Sequence, residues 1–316
     1  MSGKIPLLVL IGPTAVGKTS TSIKVAQNLN GEIISADSMQ IYEYMDIGTA
    51  KVTEDEMENI EHYMVGEILP DEDFSVSDFQ DKANEYIEKI YSKGKLPMVV
   101  GGTGLYINSL VYNLDFTNAV SNPQLREEYL NEAEIHGNEV LVKKLKKIDP
   151  ESAERIHIND TKRLVRALEI YHETGNPMSK YYKNFRQPND DYNIVMIGLN
   201  MDRKKLYDRI NKRVDIMLES GLIDEVKSLL DKGYDKNLTS LQGLGYKEII
   251  SYLNGEYTYD EAIEILKRDS RRFAKRQLTW FRRDKRIKWV MVDEFDSQGE
   301  IVKEITEYVE KKLELE

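Results

Sequence analysis

The sequence predicts an α/β protein, a doubly wound parallel sheet with an all-helical insertion domain, on three observations. Short apolar runs bounded by turn residues alternate with helix-periodic stretches, the pattern of βα units whose strands are buried on both faces. The first run, Ile5–Ile11, leads directly into Gly12-Pro13-Thr14-Ala15-Val16-Gly17-Lys18-Thr19, which has the G-x-x-x-x-G-K-[ST] spacing of a phosphate-binding loop between strand and helix. From residue 122 to about residue 182 the pattern is helical, rich in Glu, Lys and Arg, and α/β alternation resumes at Asn193. A P-loop NTPase-like core interrupted by an insertion accounts for all three. The expected boundaries are 1–118 and 192–316 for the two parts of the core and 119–191 for the insertion.

After the loop, a helix is expected over 19–28, ended by Asn30-Gly31. A strand over 32–36 delivers Asp37 and Ser38 to the C-terminal edge of the sheet, where open α/β folds bind ligands. Residues 41–50 read as a loop, 54–61 and 71–73 as solvated acidic surface, and 62–68 as a short strand. Phe74, Phe79, Ala83, Tyr86, Ile87 and Ile90 mark one face of a helix that Gly94 breaks. The run 96–100 is another buried strand, followed by Gly101-Gly102-Thr103-Gly104 and an apolar helix.

Within the insertion, Pro123 and Pro150 stand where helices begin, and Gly137 and Gly175 where they end. Residues 187–191 form a linker and 193–199 a strand. Helices then cover Arg203–Glu219 and Leu222–Asp231, a turn-rich piece runs through Gly243 and Gly245, and a long helix spans 259–283. A last strand over 287–292 and a charged helix close the chain.

Composition removes several classes of function. With no cysteine, the 316-residue chain has no disulfide, thiolate zinc site or cysteine nucleophile. No apolar run approaches the length that spans a bilayer, so no membrane partner is expected. Lys4 and the apolar run after it lead into the phosphate loop instead of a signal cleavage site, and a cytoplasmic location is expected. The net charge of −11 argues against a uniformly basic nucleic-acid binder, although binding responds to local patches.

The loop glycines let successive N–H groups converge on an anion, and the following helix adds its positive end. Lys18 supplies a mobile charge and Thr19 a hydroxyl for Mg²⁺. Asp37, at a neighbouring strand end, is placed to hold that metal, to act as a general base, or simply to cap a turn beside Ser38. The strand over 96–100 ends in glycines, not in the acidic residue of a motor ATPase, and no Asn-Lys-x-Asp guanine-reading segment occurs.

The long helix and its continuation carry a second signal. Lys267, Arg268, Arg271, Arg272, Lys275, Arg276, Arg282 and Arg283 interleave with Phe273, Trp280 and Phe281, which suits RNA phosphates and unstacked bases or an ordinary solvated helix. Arg209 and Arg213 share a helix face, free to reach phosphate or to pair with Asp208 or Asp215.

The phosphate loop, Ile34-Ser35-Ala36-Asp37-Ser38-Met39-Gln40-Ile41-Tyr42 and Met45-Asp46-Ile47-Gly48-Thr49-Ala50-Lys51 resemble the tRNA dimethylallyltransferase family. So do Val100-Gly101-Gly102-Thr103-Gly104-Leu105-Tyr106, Gly243-Leu244-Gly245-Tyr246-Lys247 and Lys275-Arg276-Gln277-Leu278-Thr279-Trp280-Phe281-Arg282. The match runs in order over most of the chain, and is to the shorter bacterial form without a cysteine-bearing zinc finger. The resemblance implies transfer of a dimethylallyl group from its diphosphate to N6 of the adenosine 3′ of the anticodon, with Mg²⁺, releasing diphosphate.

It further implies Asp37 as base, with Lys18, Thr19 and an Arg aligned at Arg213 on the leaving group, and Thr103 at the substrate nucleotide. The family's tRNA-contacting segments match Asp37, Ser38, Met39 and Gln40; Arg126; Lys162, Arg163 and Arg166; Gln242, Gly243, Gly245, Tyr246 and Lys247; and Lys275, Arg276, Gln277, Thr279, Trp280 and Arg282. The expected partners are the anticodon stem-loop of tRNA and dimethylallyl diphosphate, taken up by a monomer. Three rivals share parts of the pattern: a free adenine-nucleotide isopentenyltransferase, a small-molecule P-loop kinase, and a non-catalytic RNA-binding protein.

Overall fold

The run Ile5–Ile11 forms strand β1 inside a six-stranded sheet, with Leu7, Leu8, Val9, Leu10 and Ile11 shielded from solvent. Each such side chain contributes roughly 1.5–3 kcal/mol relative to exposure, which explains an apolar run too continuous for a one-sided strand. In this computed structural model, which describes residues 3–114, 122–182 and 187–315, helix α1 (Lys18–Asn28) and strand β2 (Gly31–Ala36) follow. Next come the short helix α2 (Glu54–Met57), strand β3 (His62–Tyr63), helix α3 (Val76–Ser92), strand β4 (Leu96–Gly101) and helix α4 (Gly104–Val111). Helix α2 is capped reciprocally by Thr53 and Glu56 and is largely exposed, so that acidic stretch is a solvated surface.

Five helices form the insertion: α5 (Pro123–His136), α6 (Asn138–Ile148), α7 (Pro150–Arg155), α8 (Thr161–Thr174) and α9 (Met178–Tyr182). The expected punctuation holds: Pro123 and Pro150 sit in first turns, while Gly137 and Gly175 close α5 and α8 with positive φ. Asp149 caps α7 at the Ser152 N–H and also accepts from the Ser179 N–H. Burial works against its charge, but these donors outweigh it and hold its carboxyl below the usual range. The helices enclose their own core, built on Leu141, Leu145, Leu164, Val165 and Leu168.

The two ends of this unit are stitched together. Asn189 N–H donates to Val111 O at 3.1 Å, Asn113 N–H to Gln187 O at 2.8 Å, and Tyr112 bridges Pro188 antiparallel. The chain divides into two compact units, one combining the residues up to Leu110 with those from Asp190 onward, the other Val111–Asn189. The expected boundary at 118/119 lies outside the described residues.

The remaining elements are β5 (Tyr192–Asn200), α10 (Arg203–Glu219), α11 (Leu222–Asp231), α12 (Tyr246–Leu253), α13 (Tyr259–Phe281), β6 (Lys288–Met291) and α14 (Gln298–Leu313). The sheet order is β3-β2-β4-β1-β5-β6, and its strand pairs are parallel. Ile11 stands opposite Gly101 and Gly198, and Gly101 also stands opposite Ala36. The C-terminal ends of β1, β2 and β4 therefore finish level, and Gly12, Asp37 and Gly102 leave the sheet side by side.

Two expectations differ from the structure. The strand over 62–68 is only two residues long, because Met64 and Gly66 turn the backbone with positive φ and take it off β2. The piece around Gly243 and Gly245 contains a helix, α12, whose Tyr246, Glu248, Ile249 and Ile250 are buried. Gly245 has positive φ and its N–H bonds Glu248, so the glycine that reads as a turn is the helix start.

Candidate active site

Between β1 and α1, residues 12–19 close into an anion cradle. Gly17 has φ 103° and Ala15 φ 64°, so the loop needs the left-handed region twice. A Cβ at Gly12 would lie 2.8 Å from Leu199 O. The ammonium of Lys18 folds over the loop, donating to Gly12 O and Pro13 O at 3.0 Å each. Burial pulls Lys18 down to about 8; Asp37 counters the shift and Arg213 adds to it. The first N–H groups of α1 have no partner within their helix and face the loop.

Gln277, from α13, braces this loop against β4. Its Oε1 accepts the Thr14 N–H at 2.9 Å, and its Nε2 donates to Gly102 O at 3.0 Å. A Cβ at Gly102 would push that amide off its bonds, and a Cβ at Gly104 would meet the Trp280 indole. The Gly-Gly-Thr-Gly segment is thus a surface of close approach between α13 and the sheet edge, not a plain connector.

Beside it, the Asp37 side chain accepts the Met39 N–H at 3.0 Å through Oδ1. This local turn cap fixes the carboxylate and leaves Oδ2 for other work. Thr103 Oγ1 accepts the Ser38 N–H at 3.1 Å, and the Thr103 N–H donates to Ala36 O at 3.2 Å. The ends of β2 and β4 are joined through these bonds.

Arg213 reaches in from α10, its Nη2 donating to Thr49 O at 3.3 Å. Burial draws its pKa down against the opposing pull of Asp37 and Glu56. Of the acidic partners expected for the α10 arginines, Asp215 pairs instead with Lys267 at 2.6 Å. The turn carrying Thr49 is anchored by Glu225, which accepts the N–H groups of Asp46, Ile47 and Gly48 and the Tyr246 hydroxyl.

Lys18, Thr19 and Arg213 stand between two openings. One, of about 380 Å³, is also lined by Asp37, Met39, Thr103, Met217, Gly243, Phe273 and Arg276. The other, of about 500 Å³, is lined by Gly17, Lys24, Arg209 and Lys212. The first mixes apolar walls with a carboxylate and cations; the second sets Lys18, Arg209, Lys212 and Arg213 against Glu56, with Lys24 paired to Glu58 at 2.5 Å, and is net positive. Two openings that share these residues suit a substrate with an apolar group on an anionic one. No group of three His, Cys, Asp or Glu side chains placed to hold a metal occurs among the described residues.

The expected tRNA contacts divide. Of the α13 cations, Arg268 and Arg272 pair with Asp269, and Arg271 with Asn211. Lys275, Arg276 and Arg282 are exposed, with Arg276 lying over the Phe273 ring at 5.7 Å. Thr279 bonds back to its own helix, and Gln242 bonds Lys236 O. Gly243 closes over Met39, which lines the wall of the Asp37 cavity with it, and Lys247 lies 3.7 Å from Glu248.

Of three further residues, Tyr246 is shut away from any contact surface, whereas Gln277 and Gln40 line the Asp37 cavity but spend their amides on the main chain. Tyr246 is wholly buried beneath Gly48, Gln277 is buried on main-chain partners, and Gln40 donates to Thr49 O and Ala50 O. In the insertion, Arg126 and Arg166 both bind the buried Glu169, at 2.9 and 2.7 Å. Arg163 pairs with Asp160 at 3.4 Å, and Lys162 is exposed.

Glu225 and the bracing role of Gln277 were not foreseeable from spacing, since their partners lie 177 to 179 and 175 to 263 residues away. The one local hint is a neutral amide amid the cations of α13.

A family model described as IPP transferase matches residues 40–284. A tRNA dimethylallyltransferase of Acetivibrio thermocellus is 56% identical over 303 residues, covering 96% of this chain and 97% of its own. One from Clostridioides difficile is 54% identical over 310 residues, with 98% and 99% covered. Among solved structures, the full-length tRNA isopentenylpyrophosphate transferase of Bacillus halodurans superposes with TM-score 0.75 at 47% identity, over 98% of this chain and 97% of that one. A eukaryotic dimethylallyltransferase described as acting on tRNA gives TM-score 0.74 at 32% identity, over 87% and 69%.

Proposed function

The chain belongs to the IPP transferase family, and from that premise we propose that it transfers a dimethylallyl group from dimethylallyl diphosphate to N6 of the adenosine 3′ of the tRNA anticodon. The observation that carries the reading is the placement of Asp37 and Lys18 on one cavity, with Lys18, Thr19 and Arg213 shared by a second, cationic opening.

In the reaction, the bond from the allylic carbon to the diphosphate oxygen breaks and a carbon–nitrogen bond to N6 forms. The adenine amine is a weak nucleophile because its lone pair is delocalised into the ring. Asp37 takes the N6 proton as that bond forms, its carboxylate held in place through the Met39 N–H. Charge grows on the departing diphosphate, and the loop N–H groups, Lys18 and Arg213 meet it already oriented. The partly buried site strengthens each of these interactions relative to water.

Mg²⁺ fits the donors present. This hard cation needs only one or two protein oxygens beside water and phosphate, so the Thr19 hydroxyl would hold it without an acidic cage, and Asp37 stays available as base. When bound, it neutralises diphosphate charge.

The base must leave its stack to enter. Met39, Thr103 and Phe273 line the cavity that holds Asp37, where we place the adenine. Arg276 stands at the cavity wall, Lys275 and Arg282 outside it; all three meet tRNA phosphates, and the insertion grips the anticodon stem with Lys162 and Arg163. Arg126 and Arg166 serve that unit through Glu169. A monomer in the cytoplasm completes the reading. No helix among the described residues is long and apolar enough to cross a membrane. The deciding experiment supplies labelled dimethylallyl diphosphate with either tRNA or AMP. Label is expected on tRNA; label on AMP alone overturns the proposal.

A further inference from the structure

We propose that Glu225 is a positioning residue for the transfer, acting through the 45–50 turn to aim the Arg213 guanidinium at the leaving group. The inference rests on the functional reading above, in which Arg213 stabilises the departing diphosphate. Glu225 projects from α11 and does not line the cavity shared by Lys18, Asp37 and Thr103.

Three consecutive main-chain N–H groups converge on this one carboxylate. Oε2 accepts from Asp46 at 2.9 Å and from Ile47 at 2.6 Å, and Oε1 accepts from Gly48 at 3.0 Å. The Tyr246 hydroxyl donates to the same Oε1 at 2.7 Å. Burial and the adjacent carboxylate both push that phenol's pKa up, so it stays a donor. The turn also sits on the Tyr246 ring, where a Cβ at Gly48 would come within 2.6 Å. A surface loop needs one anchor; this one has four donors on one anion and an aromatic floor.

The consequence lies on the inner side of the turn. With its N–H groups drawn outward, the turn presents carbonyls inward. Thr49 O accepts from Arg213 Nη2 at 3.3 Å and from Gln40 Nε2 at 3.3 Å, and Ala50 O accepts from Gln40 at 3.0 Å. The bond to Thr49 O is the only hydrogen bond the Arg213 guanidinium makes among the described residues. A turn released from Glu225 would leave that cation without its aim, and preorganisation is what gives such a donor its catalytic value. Chemistry should therefore suffer while tRNA binding does not.

The test is a double-mutant cycle on the full chain, with transfer of label from dimethylallyl diphosphate to tRNA as the assay. Glu225→Gln replaces one acceptor oxygen by an amide that faces N–H groups. It is expected to lower kcat about tenfold, less than outright loss of a transition-state donor, with KM for tRNA unchanged within about twofold. Introduced into Arg213→Ala, it is expected to lower kcat no further. A kcat at the parent level in Glu225→Gln, or the full tenfold loss persisting on Arg213→Ala, overturns the inference while leaving the functional reading intact. Undiminished turnover in Arg213→Ala overturns both. If Glu225→Gln fails to fold, Glu225→Asp, which keeps the charge but shortens its reach, runs through the same cycle under the same criteria.

Discussion

The Gln277 side-chain carbonyl accepts the Thr14 N–H at 2.9 Å, so the tip of the phosphate loop is held by a helix 263 residues later in the chain. The other end of the same amide holds Gly102 O at 3.0 Å. Gln277→Ala leaves both main-chain groups without their partner in a largely buried place. The buried Gly102 carbonyl costs about 1–3 kcal/mol when orphaned, while the half-buried Thr14 N–H can turn to water in the cavity, so a destabilisation of about 1–3 kcal/mol is expected by denaturant unfolding. KM for the diphosphate donor should rise with it, because the cradle is no longer braced.

Asp37 has two duties that substitution can separate. Asp37→Asn keeps a side-chain oxygen for the Met39 N–H and so preserves the turn, but it cannot accept the proton of the amine. Turnover should fall at least about a hundredfold, with tRNA binding retained in a filter or gel-shift assay. Near-normal turnover would remove Asp37 from the role of base.

Lys18 makes donor binding sensitive to mildly alkaline pH. Burial has brought its pKa from 10.5 to about 8, so the ammonium is charged below that pH and neutral above it. A diphosphate is attracted only by the charged form. Affinity for the donor is therefore full below about pH 8 and falls as pH rises through it, approaching a tenfold loss per pH unit well above the pKa. The profile of KM for dimethylallyl diphosphate between about pH 6.5 and 9.5 checks this, and a flat profile contradicts it.

Along α13 and its C-terminal end the cations are unequal. Arg282 is exposed, whereas Arg268 is engaged by Asp269 at 2.9 Å. Arg282→Ala should weaken tRNA binding and reduce the slope of log affinity against log salt by about 0.7–0.9 for each phosphate the side chain had neutralised. Arg268→Ala should change that slope little. Equal slopes in the parent and Arg282→Ala would return this helix to an ordinary solvated surface.

Much of the sheet was legible in the sequence, because strands buried on both faces announce themselves as unbroken apolar runs. The bounds of α10 and α11 also follow from their apolar spacing and from the caps Asp202 and Gly221. Helix α12 was hidden because its first residue follows a glycine with positive φ, which reads as a break; the Glu248 that caps it is visible only once the helix is known. Strand β3 was overestimated because a positive φ at Met64 leaves no mark in an apolar stretch.

At the site, the residues carried by motifs were legible as motifs. Lys18, Asp37 and Arg213 line one cavity in the folded chain. The bracing contacts were not legible, since Gln277 and Glu225 work through main-chain groups of distant loops that no side-chain pattern encodes. For the same reason Tyr246, matched to a tRNA-contacting segment, sits under Gly48 as a floor.

The stitched ends of the insertion bear on how such a protein can change. Because Val111 and Asn189 are hydrogen-bonded neighbours, the whole helical unit departs from and returns to the same point, as a single long loop would. Lengthening a loop whose ends stay together costs only about 0.6 kcal/mol for each doubling. With a core of its own, the unit can be enlarged, trimmed or exchanged without disturbing the register that sets Gly12, Asp37 and Gly102 side by side. The helical unit is thereby free to diverge while the residues at the sheet edge stay put.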